Sequence, residues 1–150
     1  MKRTTFLLVS LLFFLAGCSK TSSIININFS EIDFSDVSHI NLYNCHNGRF
    51  SFITDQEAVL DICAFIAGIS GNSGENANGY YEGTYALELL NGDEEKVCAI
   101  HFGDDNVFYY DVEGEGNVIR FNLVNQTAND IVSFFSNYDT GAFDWGDKAA

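Results

Sequence analysis

YYEGTYALELLNGDEEKVCAIHFGDDNVFYYDVEGEGNVIRFNLV, residues 80–124, decides the fold. Apolar and polar residues alternate along it in four runs, about 80–90, 95–102, 107–112 and 117–124. Period-two alternation is the mark of strands that bury one face. Asn91-Gly92, Asp104-Asp105-Asn106 and Glu113 to Gly116 separate the runs with turn-forming residues, so the stretch predicts a four-stranded antiparallel meander. Parity then assigns the faces. With a two- or four-residue turn at Asn91-Gly92, Tyr85 and Leu87 share a face with Cys98, Ile100 and Phe102. A four-residue turn at 113–116 puts Phe108 and Tyr110 with Ile119, Phe121 and Leu123. The two sets join into one apolar face only if the middle loop is odd. Asp104-Asp105-Asn106 meets that as a three-residue loop, with Asn106 left-handed. A one-residue error would exchange the faces.

Toward the N-terminus, 37–43 (VSHINLY) and 49–53 (RFSFI) also alternate, and Asn47-Gly48 between them predicts a hairpin. A helix follows from Thr54, with Glu57 completing a capping box and Val59, Ile62, Cys63, Ile66 and Ile69 forming its buried stripe. Residues 70–79 (SGNSGENANG) are expected as a polar loop. Toward the C-terminus, a last helix covers about 126–138 with Ala128, Ile131, Val132, Phe135 and Tyr138 on its apolar face, and 139–150 forms a loosely ordered acidic tail. The expected fold is therefore α+β in the order ββαββββα, an antiparallel sheet with two helices packed on one face, in a single domain over 31–138. Its outline resembles the helix-over-curved-sheet architecture of small secreted domains such as the cystatin-like ones, a likeness of shape that carries no activity.

The first residues read as an address. Lys2 and Arg3 precede a ten-residue apolar run, Phe6 to Leu15, about half the roughly 20 residues that span a bilayer. Leu15-Ala16-Gly17-Cys18 follows, and this LAGC run resembles the lipobox of bacterial lipoproteins. The resemblance covers residues 1–19. It implies a signal peptide over 1–17, cleavage before Cys18, and a diacylglyceryl group on the Cys18 thiol. Two acyl chains, each methylene contributing about 0.8 kcal/mol, would anchor the chain to the membrane on the extracytoplasmic face of the cell envelope. Residues 18–30 are then the lipidated cysteine and a tether, although 24–29 (IININF) alternates weakly enough to read as an added strand.

Composition narrows the partners. Removal of 17 residues from 150 leaves 133, enough for one core. Loss of Lys2 and Arg3 moves the net charge from −14 to −16, which disfavours nucleic acid and anionic headgroups. Aromatic residues at 15% and apolar types at 47% argue against disorder despite that charge. Beyond Cys18 there are three cysteines, Cys45, Cys63 and Cys98, with no C-x-x-C or zinc spacing. Cys63 and Cys98 fall on apolar faces and are expected as buried free thiols.

Parity also puts a chemically mixed row on the second sheet face: His101, Tyr109 and Arg120 across three strands, with Thr84 or Glu82 next. An imidazole, a phenol and a guanidinium side by side suit a small anion, a sugar or a partner peptide; ordinary cross-strand packing is the competing account. Asp111, Glu113, Glu115 and Gly116 follow the first half of a calcium-loop pattern, but strands flank them and Asn122 takes the place of the closing Glu, so a weak divalent-cation site competes with a solvated turn. No other cofactor is expected. No nucleophile elbow, Walker loop or H-E-x-x-H occurs. The sequence favours a membrane-anchored, non-catalytic binding module, ahead of a cation-binding module and a small hydrolase using His101.

Overall fold

The computed structural model describes residues 24–73, 83–111 and 118–141. Eight strands and two helices alternate along it: β1 (Asn26–Asn28), a 3-10 turn (Phe29–Glu31), β2 (Val37–Asn44), β3 (Arg49–Ile53), α1 (Gln56–Ala67), β4 (Ser70–Ser73), β5 (Tyr85–Asn91), β6 (Lys96–Phe102), β7 (Val107–Asp111), β8 (Val118–Leu123) and α2 (Ala128–Phe135). All strands join one sheet in the order β1-β4-β8-β7-β6-β5-β2-β3, and every pairing is antiparallel. The class is α+β.

The meander β5 to β8 takes the register that parity requires. Tyr85 pairs Phe102 and Leu87 pairs Ile100; Phe102 pairs Phe108, and Phe108 pairs Phe121. The loop between β6 and β7 closes at Gly103 N–H to Val107 carbonyl, 2.8 Å, and Asn106 is left-handed at φ 55°. Its side chain secures the loop, accepting from Ala128 N–H at 2.6 Å. The β5–β6 turn is less regular. A register shift follows Leu89, and the Asn91 Oδ1 accepts from Asp93 and Glu95 N–H at 3.0 and 2.8 Å.

Side chains of one parity form the core. Leu42, Leu87, Ile100, Phe102, Phe108 and Phe121 are at most 1% exposed, and they share one cluster with Val59, Ile62 and Ile66 of α1 and Ile131 and Phe135 of α2. The Phe108 and Phe121 rings stack at 5.1 Å, and Phe65 of α1 stacks on Phe134 of α2 at 3.7 Å. Cys63 and Cys98 are buried and unoxidised in this core; burial pushes the Cys98 thiol up to about 12.

Several boundaries differ from the expectation. The polar stretch from 70 supplies β4, because backbone pairing with β1 and β8 on either side needs no apolar pattern. Gly71 is required there: a Cβ would stand 2.5 Å from the Phe108 ring. The tether expected through residue 30 ends earlier, since Asn26–Asn28 is a strand and Phe29 is wholly buried, edge-on to Tyr110 at 5.0 Å. The N-cap of α1 is Asp55, accepting from Ala58 N–H at 3.0 Å, one residue past the predicted Thr54. A reciprocal capping box occurs instead on α2, between Thr127 and Asp130. The tail begins tied down rather than loose: Asn44 Nδ2 donates to Asp139 at 2.7 Å, Arg49 Nη2 to the Thr140 carbonyl at 2.9 Å, and Gly141 N–H to Ser51 Oγ at 3.2 Å.

Candidate functional site

The second parity of the sheet carries the candidate residues. His101 of β6 pairs Tyr109 of β7, and Tyr109 pairs Arg120 of β8, so the three stand in one cross-strand row. Directly opposed side chains of antiparallel strands lie with Cβ atoms about 4.5–5.5 Å apart, close enough to touch one ligand together. His101 is exposed, and Tyr109 and Arg120 are half-buried. The next residue in the row is Ala86, not Thr84 or Glu82, and beyond it come Tyr43 of β2 and Phe50 of β3. Turn length explains the difference, because the irregular β5–β6 turn shifts which β5 residue meets His101. Glu82 lies outside the described residues, as do Cys18, Glu113 and Glu115.

Aromatic side chains continue the surface. Tyr43 and Phe50 are in ring contact at 4.7 Å. One row along the strands, Phe52 is 50% exposed and meets the His39 ring edge-on at 5.2 Å. The sequence offers a signal for them that the four-strand row did not use: Tyr43, Phe50 and Phe52 hold the non-core parity of the predicted β2–β3 hairpin.

Charges on this face are organised around Glu88. Its carboxylate takes the Lys96 ammonium at 3.0 Å and the Asn41 amide at 3.3 Å. Partial burial works against the charged form, but those two donors outweigh it and hold the Glu88 carboxyl below its usual range. Desolvation lowers the His101 pKa, with the Glu88 charge opposing it and Lys96 adding to it. That direction favours the neutral imidazole, which offers one donor and one acceptor nitrogen. Arg120 Nη1 reaches Asn122 Oδ1 at 3.5 Å. The row thus sets a permanent cation, an imidazole and a phenol side by side on three paired strands.

Asp111 ends β7, beside the described end of the predicted cation loop. Among the described residues no group of three His, Cys, Asp or Glu side chains is placed to hold a metal ion.

A second cluster was invisible in the sequence. Thr84 Oγ1 donates to Asp104 at 2.6 Å, and His46 Nε2 lies 3.4 Å from the same carboxylate, next to Cys45. Burial and the Asp104 charge both push the Cys45 thiol up, so it is not an activated thiolate. Cysteine, histidine and aspartate meet here in a structural arrangement that joins the β2–β3 turn to the β6–β7 loop.

No protein-family model, curated protein or solved structure matches the chain. Among the described residues, no helix is long and apolar enough to cross a membrane.

Proposed function

We propose that the chain is an exported lipoprotein, anchored through Cys18 to the cell envelope membrane on its extracytoplasmic face, whose α+β domain is a non-catalytic binding module. The observation that carries the binding role is the His101–Tyr109–Arg120 row, in register on the parity opposite the core. Both helices contribute to the same cluster as the core parity, which supports placing them together on one face of the sheet. The row then belongs to the other face, as a platform for a small anionic or sugar-like ligand or for a partner peptide. Arg120 supplies charge-assisted donors, and Tyr109 and His101 supply a ring surface with polar tips. Binding is favoured over hydrolysis because Glu88, the carboxylate whose charge acts on His101, is already engaged by Lys96 and Asn41.

Two readouts test this. In cells supplied with labelled palmitate, the full chain takes up label and Cys18→Ser does not; equal labelling would remove the anchor. In pull-downs from envelope extracts supplemented with anionic and neutral oligosaccharides, the wild-type chain retains a ligand that Tyr109→Ala/Arg120→Ala loses. Identical retention by the two proteins would remove the row from the site.

A further inference from the structure

Glu57, Leu60, Asp61 and Ala64 follow the i, i+3, i+4, i+7 spacing on α1 and so share one flank of the helix. With Asp55, Ala58 and Tyr138 they line a surface groove of about 630 Å³. Its walls come from α1 and from the turn after α2, joined by the Tyr138 hydroxyl donating to Asp61. Leu60 is 61% exposed, the most exposed large apolar side chain on either helix. A bulky aliphatic group left in water beside Ala58, Ala64 and a tyrosine ring gains by being covered.

Charge selects what covers it. The groove carries Asp55, Glu57 and Asp61. The described lysine and arginine side chains lie elsewhere: Arg49 on Asp139, Lys96 on Glu88 and Arg120 beside Asn122. A second copy of the chain would oppose three carboxylates to three, and nucleic acid or anionic lipid would be repelled. We infer that this groove docks a basic, amphipathic segment of a partner protein, setting an aliphatic side chain over Leu60 and Ala64 and lysine or arginine against Glu57, Asp61 and Asp55. The site is built on α1 and is independent of the sheet row, so either can fail alone.

The test is fluorescence anisotropy of a labelled 14-residue Lys/Leu peptide with helical amphipathic spacing, titrated with the full chain. A Lys/Ser peptide of the same charge is the comparison. The Lys/Leu peptide is expected to bind about fivefold or more tighter, and Leu60→Ser to abolish that preference. Glu57→Gln/Asp61→Asn weakens binding about tenfold, whereas Asp93→Asn/Glu94→Gln, which removes as much charge from the β5–β6 turn, leaves it within about twofold. Leu60, Glu57 and Asp61 are all exposed, and an unchanged unfolding temperature confirms that the variants fold. Equal weakening by the two charge pairs, no effect of Leu60→Ser, or no binding of the Lys/Leu peptide would each overturn the proposal.

Discussion

Two neighbouring rows cross the same strands with opposite fates. Tyr85, Phe102, Phe108 and Phe121 are at most 3% exposed, whereas Ala86, His101, Tyr109 and Arg120, one residue along, include an exposed imidazole and a half-buried guanidinium. Strand pairing is equally regular in both. Side-chain alternation separates the main core cluster from the candidate site, although Thr84, Ala86 and Val107 on the second parity are buried too, and the three-residue loop at 104–106 keeps the two from mixing. The face proposed for recognition is thus a by-product of the register that packing demands.

The contrast is sharpest in stability. Phe108→Ala is expected to cost about 3–5 kcal/mol, because the ring is fully buried between Phe29, Phe102 and Phe121. Tyr109→Ala, its immediate neighbour, should cost about 1 kcal/mol or less. Urea unfolding of both variants checks this, and similar losses would mean that the two faces are not energetically distinct.

The loop that keeps the rows apart comes next. Asn106→Ala removes a residue tolerant of φ 55° and the acceptor for Ala128 N–H, so about 1–2 kcal/mol should be lost. Asn106→Gly restores the backbone freedom and not the acceptor, and should fall between them. A Gly variant no better than Ala would place the whole effect in the Ala128 contact.

The smallest expected effect concerns the charges on the second face. The Glu88 carboxyl has a folded pKa below its unfolded value, so its contribution is present above the unfolded pKa and disappears as pH falls through the folded one. Glu88→Gln should therefore cost a few tenths of a kcal/mol at pH 7, and nothing once pH is below the folded value. Denaturant midpoints measured between pH 7 and pH 2 check the sign; a deficit that persisted at the acid end would mean Glu88 acts through packing.

Much of this fold was legible because its elements advertise local rules. Alternation and turn chemistry placed β2, β3 and β5 to β8, and the odd loop at 104–106 set the faces. The stripe of Val59, Ile62, Cys63 and Ile66 placed α1. What escaped was β4, whose SGNS carries no pattern, while β1 had only the weak alternation of 24–29, which read equally well as tether. They are strands because Asn26–Asn28 pairs with Ser70–Asn72, and Gly71 lets the Phe108 ring lie against the backbone. For the site, the order His101, Tyr109, Arg120 came from parity, while Ala86, Tyr43 and Phe50 depended on the irregular turn after Leu89 and on β5 pairing with β2 across 41 or more residues.

By itself the sequence determined the alternation, the helix stripes, the acidic charge and the LAGC run on which the proposed address rests, since each depends on residues a few positions apart. Tertiary structure alone decided the edge of the sheet, the meeting of His46, Thr84 and Asp104, and the groove between α1 and Tyr138. Those arise from contacts between distant segments, whose energies are set by shape and backbone pairing once the chain has collapsed, and no local pattern records them.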